Sequence, residues 1–206
     1  YFNFILFIIY IYIFIMDIIN LERKKEYTIY LINLLSPILY DGILSMYKEG
    51  TKYCEKGNEL KIFQSLLKSI PDWSPDILAN EVVRIQQISN CDFLNILIKA
   101  VIKSNIILLI NNHIINESLY NIDINNFIHN CYITIAKNFY QHPELFNLNY
   151  KDLNIKRNQR ESISIIKDSI NNTIRKCLPL GLILKNYIND VKLSENNNQQ
   201  NIIEIL

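Results

Sequence analysis

Three histidines, four cysteines and a few acids are the residues of this sequence with chemistry to offer. A zinc site needs three or four such ligands converging on one point. His129 and Cys131 are two apart, so on a helix they point in different directions. Joining His129 to His142 and a distant cysteine is geometrically open, but no spacing supports it, and His113 has no partner motif. Cys54, Cys91, Cys131 and Cys177 are far apart with no C-x-x-C pair. They read as free thiols in a reducing compartment. Asp72, Asp76, Glu81 and Asp92 are the acids from which an acid–base pair would be drawn. Each falls where a helix is expected to begin, and dipole or capping roles explain that placement. There is no G-x-S-x-G elbow, and the four glycines allow neither G-x-G-x-x-G nor a P-loop. The expectation is a non-enzymatic chain with no catalytic residue, no cofactor and no metal.

One polar patch has binding potential. Lys151, Lys156, Arg157, Arg160, Lys167, Arg175 and Lys176 recur along one stretch and would suit phosphates. Asp152, Glu161 and Asp168 dilute the patch, and no aromatic ladder interleaves with it to stack bases. The plain reading is a solvated helix face; nucleic-acid binding is the alternative.

The elements that position these residues are helices. Glu59 to Asp92 reads as helix, tight corner, helix. Leu60, Phe63, Leu67 and Ile70 lie on one face of the first. Pro71 stops it, because proline lacks the amide hydrogen of the helical ladder. Ser74 caps the next helix, with Pro75 at its first position and Asp76 in its first turn. Trp73 and Leu78 have the spacing of a hydrophobic staple. Pro71, Trp73, Ser74 and Pro75 together predict a structural corner.

The rest of the chain follows the same logic. Asp17 to Lys48 is helical in pattern, with a kink or split expected near Leu35–Ser36 because of Pro37. Asn90 or Asp92 would cap the helix Asp92–Ile110, which is apolar on nearly all sides and is expected at the centre. Asp123 to Phe139 carries the cleanest apolar stripe. Glu144 to Asn158 is expected as loop, Arg160 to Cys177 as helix, and Leu182 to Val191 as a short helix. The expectation is an all-α, single-domain irregular bundle of about six to eight helices over residues 16–193, with a flexible tail at 194–206.

Residues 1–15 are almost wholly Tyr, Phe, Ile and Leu. Three readings stand: translated upstream AT-rich DNA, since the first methionine is Met16; a membrane anchor; or a packed helix. No basic n-region or small-residue cleavage site marks a signal peptide. As an anchor, it would leave the following domain on the cytoplasmic side, because Arg23, Lys24 and Lys25 come next. The sequence has 41 Ile and 28 Asn against three Ala and four Val, a skew that AT-rich coding explains. The net charge of +1 supplies no global pull toward nucleic acid or an anionic membrane.

A family resemblance adds to this. Lys61-Ile62-Phe63-Gln64, then Leu67, then Ile70-Pro71-Asp72-Trp73 resembles a pattern in helical proteins of the nucleocytoplasmic large DNA viruses, the giant viruses. Asn90-Cys91-Asp92-Phe93-Leu94, Phe127-Ile128-His129-Asn130-Cys131-Tyr132 and Arg160-Glu161-Ser162 are similar to the same family, in the same order. The resemblance covers roughly residues 27–187, and the family begins near the position of Met16. It implies a viral protein of unknown activity, located in the host cytoplasm at the virus factory or in the virion. It carries over no catalytic residues. The function expected is a structural or adaptor component with protein partners, the alternatives being nucleic-acid binding through the 151–176 face or a membrane-anchored virion protein.

Overall fold

The computed structural model describes residues 2–110, 117–185 and 187–188, with side chains from Phe4 onward. Six α-helices run in order: α1 (Phe2–Thr51), α2 (Glu59–Ser69), α3 (Pro75–Ser89), α4 (Leu94–Ile107), α5 (Ile124–Gln141) and α6 (Asp152–Lys176). Short 3-10 turns sit at Ile70–Asp72, Glu117–Leu119 and Pro143–Phe146. A further helical segment occupies residues 180–185, and the described residues contain no strand. The chain is therefore an all-α single-domain bundle, as the periodicity predicts. The expected tail at 194–206 and His113 lie outside the described residues.

The C-terminal half of α1 and the whole of α5 organise the core, each packing against α2, α3 and α6. Leu31, Leu35, Leu39 and Ile43 line the buried face of α1 at spacings of four. On α5 the predicted stripe of Ile124, Phe127, Ile128, Cys131, Ile135 and Phe139 is fully buried except for Ile124, which is half-buried. The helix α4 is shorter than the predicted Asp92–Ile110 and packs mainly on α1. Leu94, Ile98, Val101 and Ile102 are inside, while Ile96 is 69% exposed, so the hub of the bundle lies at α1 and α5.

Three local expectations are sharpened or corrected by the structure. Of the kink or split expected at Pro37, the split does not occur: α1 continues through the proline. The Ser36 hydroxyl donates to the Ile32 carbonyl, and Leu35 and Ile38 on either side of the proline are buried. Neither Asn90 nor Asp92 caps α4: Asn90 ends α3 in the left-handed conformation (φ 48°), and Phe93 stands at the N-cap without a side-chain bond. The segment expected as loop from Glu144 is partly structured, because α6 starts at Asp152. Before it, the Pro143–Phe146 turn inserts Phe146 among Tyr40, Tyr47, Phe63 and Phe139, at ring separations of 5.7, 6.5, 5.0 and 4.7 Å. Residues 2–15 form the first turns of α1.

Candidate functional site

The corner after α2 forms as its residues dictate. Ser74 accepts a hydrogen bond from the Ile77 amide at 3.4 Å, Pro75 opens α3, and Pro71 sits in the 3-10 turn that ends α2. The ring of Trp73 lies against α5. It stacks on His129, with 6.3 Å between centroids and 7° between planes, and tilts against Tyr132 at 5.0 Å. A His129 ring nitrogen bonds the Ile70 carbonyl at 2.8 Å, which fixes the corner to α5 a second time.

Beside Trp73 is a polar knot joining three helices. Arg84 of α3 grips Glu81 with two parallel hydrogen bonds, both 2.7 Å. This fork geometry is the strong form of an arginine–carboxylate pair. The same guanidinium donates to the Ile38 carbonyl of α1 at 3.1 Å and to the Tyr132 hydroxyl of α5 at 3.4 Å. Tyr132 in turn donates its hydroxyl hydrogen to Glu81. Burial, reinforced by the Glu81 carboxylate, holds the Tyr132 phenol well above its ordinary pKa, so it stays a donor. The bond to Glu81 raises Arg84, which remains charged. The knot floors a hollow of about 400 Å³ that Met46, Trp73 and Ile77 also line. Chemically it is a satisfied clamp: the acid is occupied by the cation and the phenol, with no nucleophile beside it.

The placement of Glu81 corrects the sequence reading. It stands in the second turn of α3 rather than at its start. The acids Asp72, Asp76 and Asp92 are exposed and scattered. The knot was only half visible in the sequence: Glu81 and Arg84 are a plain i, i+3 pair, but Tyr132 lies 48 residues beyond Arg84.

Family membership can be read against this geometry. Residues 16–147 match the model of a family of unknown function, DUF5764. The chain belongs to this family. No curated protein and no solved structure matches it. The stretch shared with DUF5764 contains the whole clamp, from Ile38 and Glu81 to Arg84 and Tyr132, whereas α6 lies beyond it.

Of the basic residues of α6, Lys156, Arg157, Arg160, Lys167 and Arg175 fall within about 100° of one another around the helix. Lys167 donates to Asn33 of α1 at 3.2 Å, and Lys176 to Thr134 of α5 at 3.4 Å. At about 100° per residue, Lys176 falls on the flank opposite Lys156 and Lys167. Lys151, Lys156, Arg157, Arg160 and Arg175 are exposed. Among the described residues no three of His, Cys, Asp and Glu gather as metal ligands. All four thiols are free, Cys91 and Cys131 being buried.

Sequence reasoning identified the apolar N-terminal run but not its setting. Every side chain from Phe4 to Ile15 is exposed, on all sides of the helix. By length and composition α1 is able to cross a membrane.

Proposed function

We propose that this chain is a membrane-tethered interaction component rather than a catalyst, made by a giant virus and working in the virion or on membranes of the infected cell. The observation that carries the tether is the uncovered half of α1. A helix apolar on all sides belongs in a core or in lipid. The bundle covers no side chain from Phe4 to Ile15. Residues 2–19 rise about 27 Å as a helix, near the roughly 30 Å of a bilayer's hydrocarbon. Arg23, Lys24 and Lys25 follow after Asn20, Leu21 and Glu22, close enough to keep the adjoining domain on the cytoplasmic side. The viral attribution rests on the order of the short strings from Lys61 to Ser162. The adaptor role rests on a well-specified helical core whose polar groups satisfy one another.

Flotation with neutral phosphatidylcholine vesicles tests the tether. The full chain is expected to float and to resist extraction at alkaline pH. Ile8→Arg/Ile11→Arg is expected to stay in solution, since each charge at mid-bilayer costs about 3 kcal/mol. A full chain that remains monomeric and soluble without lipid or detergent would remove the proposal.

A further inference from the structure

A second feature lies where α1 emerges from its apolar run. Asn20, Arg23 and Tyr27 are spaced three and four apart on one face of α1. That face meets Lys103, Ser104 and Ile107 of α4 around a hollow of about 360 Å³. The hollow has two cations and no acid in its lining. Among the described residues the Arg23 guanidinium donates to the Asn20 side-chain oxygen, at 3.5 Å. The Lys103 ammonium sits over the Tyr120 ring, 4.9 Å from its centre. Neither has a carboxylate partner among the described residues; the nearby Lys25–Glu22 pair, at 3.6 Å, lies outside the hollow. Two like charges facing one cleft repel, and an anion between them turns that repulsion into attraction.

The hollow's place along α1 selects the anion. It opens just after Ile19, at the level where a helix leaves hydrocarbon and meets the phosphate layer. Basic pockets between transmembrane helices on the cytoplasmic side bind lipid head groups, and here α1 supplies one wall and the bundle helix α4 the other. We propose that this cleft binds the phosphate of an anionic phospholipid, held by Arg23 and Lys103 with Asn20 and Tyr27 at the rim. The inference rests on the membrane reading above and adds a lipid preference to it.

The test uses the full chain and two sets of vesicles, phosphatidylcholine alone and the same lipid with phosphatidic acid. Binding to the acidic vesicles is expected to be about tenfold stronger at low salt. Arg23→Gln/Lys103→Gln is expected to lose that preference while still floating with neutral vesicles. Lys24→Gln/Lys25→Gln removes the same charge away from the cleft and is expected to keep most of the preference. Equal losses in the two double variants would mean a diffuse surface charge and overturn the site, leaving the tether intact. Failure to float with either vesicle overturns the tether and the site together. Displacement of the acidic lipid by millimolar inorganic phosphate would assign the cleft to free phosphate and overturn the lipid assignment.

Discussion

Gly42 of α1 and Tyr132 of α5 are so close that only a hydrogen fits between them. A methyl group built at residue 42 would overlap the Tyr132 hydroxyl and lie 2.9 Å from the Arg84 guanidinium. This glycine is helical, so its use here is steric rather than conformational. It lets the knot of Glu81, Arg84 and Tyr132 press against the backbone of α1, where Arg84 takes the Ile38 carbonyl. One absent side chain thus allows three helices to meet at one polar point.

Gly42→Ala is therefore expected to destabilise by about 1–3 kcal/mol, as overpacking does, although alanine in an open helix gains about 1 kcal/mol over glycine. Tyr132→Phe removes the oxygen that is struck. Denaturant unfolding of the two single variants and the double variant is expected to show a favourable coupling above about 0.5 kcal/mol. Strictly additive losses would mean that residue 42 and the tyrosine do not meet.

Phe146 makes a second, simpler prediction. It is 1% exposed and touches four other rings. Phe146→Ala is expected to cost about 3–5 kcal/mol. Phe93→Ala, at a ring 45% exposed, is expected to cost well under half of that. Thermal unfolding of the two variants compares them directly, and equal losses would argue against the aromatic cluster.

Phe146 also marks where the sequence stops being legible. The stripe on α5 was readable because its core contacts repeat every three or four residues, and that period survives whatever packs against it. The corner was readable because Pro71, Ser74 and Pro75 each act on their own backbone. Phe146 follows a proline in a four-residue turn, too short to show a period. Pro37 left two outcomes open for a related reason: a proline's local cost allows a kink or a split, and only the tertiary surroundings decide that the helix is not split. The knot was only half readable, because its third member comes from a different helix. The hollow at Arg23 and Lys103 was hidden in the same way, since the two cations are 80 positions apart.

The side-chain caps at Ser74 and Asp123 are expected to differ in strength. Asp123 accepts from the Asn126 amide at 3.0 Å, whereas the Ser74 bond is long at 3.4 Å. Cap removal costs about 0.5–2 kcal/mol. Asp123→Ala is expected near the middle of that range and Ser74→Ala near its lower end. Asp123 adds a favourable charge at the N-terminus of α5, so part of its effect is expected to fade with salt. The reverse order in urea denaturation would contradict the geometry.

Arg157→Gln/Arg160→Gln separates α6 from the membrane chemistry. Both side chains are exposed, so stability is expected to change by no more than about 0.5 kcal/mol. Flotation with vesicles is expected to be unaltered. Duplex DNA binding that falls steeply with salt, and weakens in this variant, would instead favour the nucleic-acid reading of α6.

The last prediction concerns alkaline pH. Burial pushes the Cys131 thiol from 9.0 up to about 12, and burial first, then the Glu81 charge, raises Tyr132 well above 10.0. A raised pKa in the fold means that the protonated form is the one the fold favours. That contribution is complete below the unfolded pKa, about 9 for the thiol and about 10 for the phenol. It is lost as pH climbs toward the folded values, because the unfolded chain then releases protons that the folded chain retains. Melting temperature is expected to fall steadily above about pH 9. Cys131→Ala is expected to start from a lower value, owing to the lost packing, and to decline less steeply between pH 9 and the onset of tyrosine ionisation. Parallel decline in the two proteins would mean that the buried thiol contributes nothing to alkaline sensitivity.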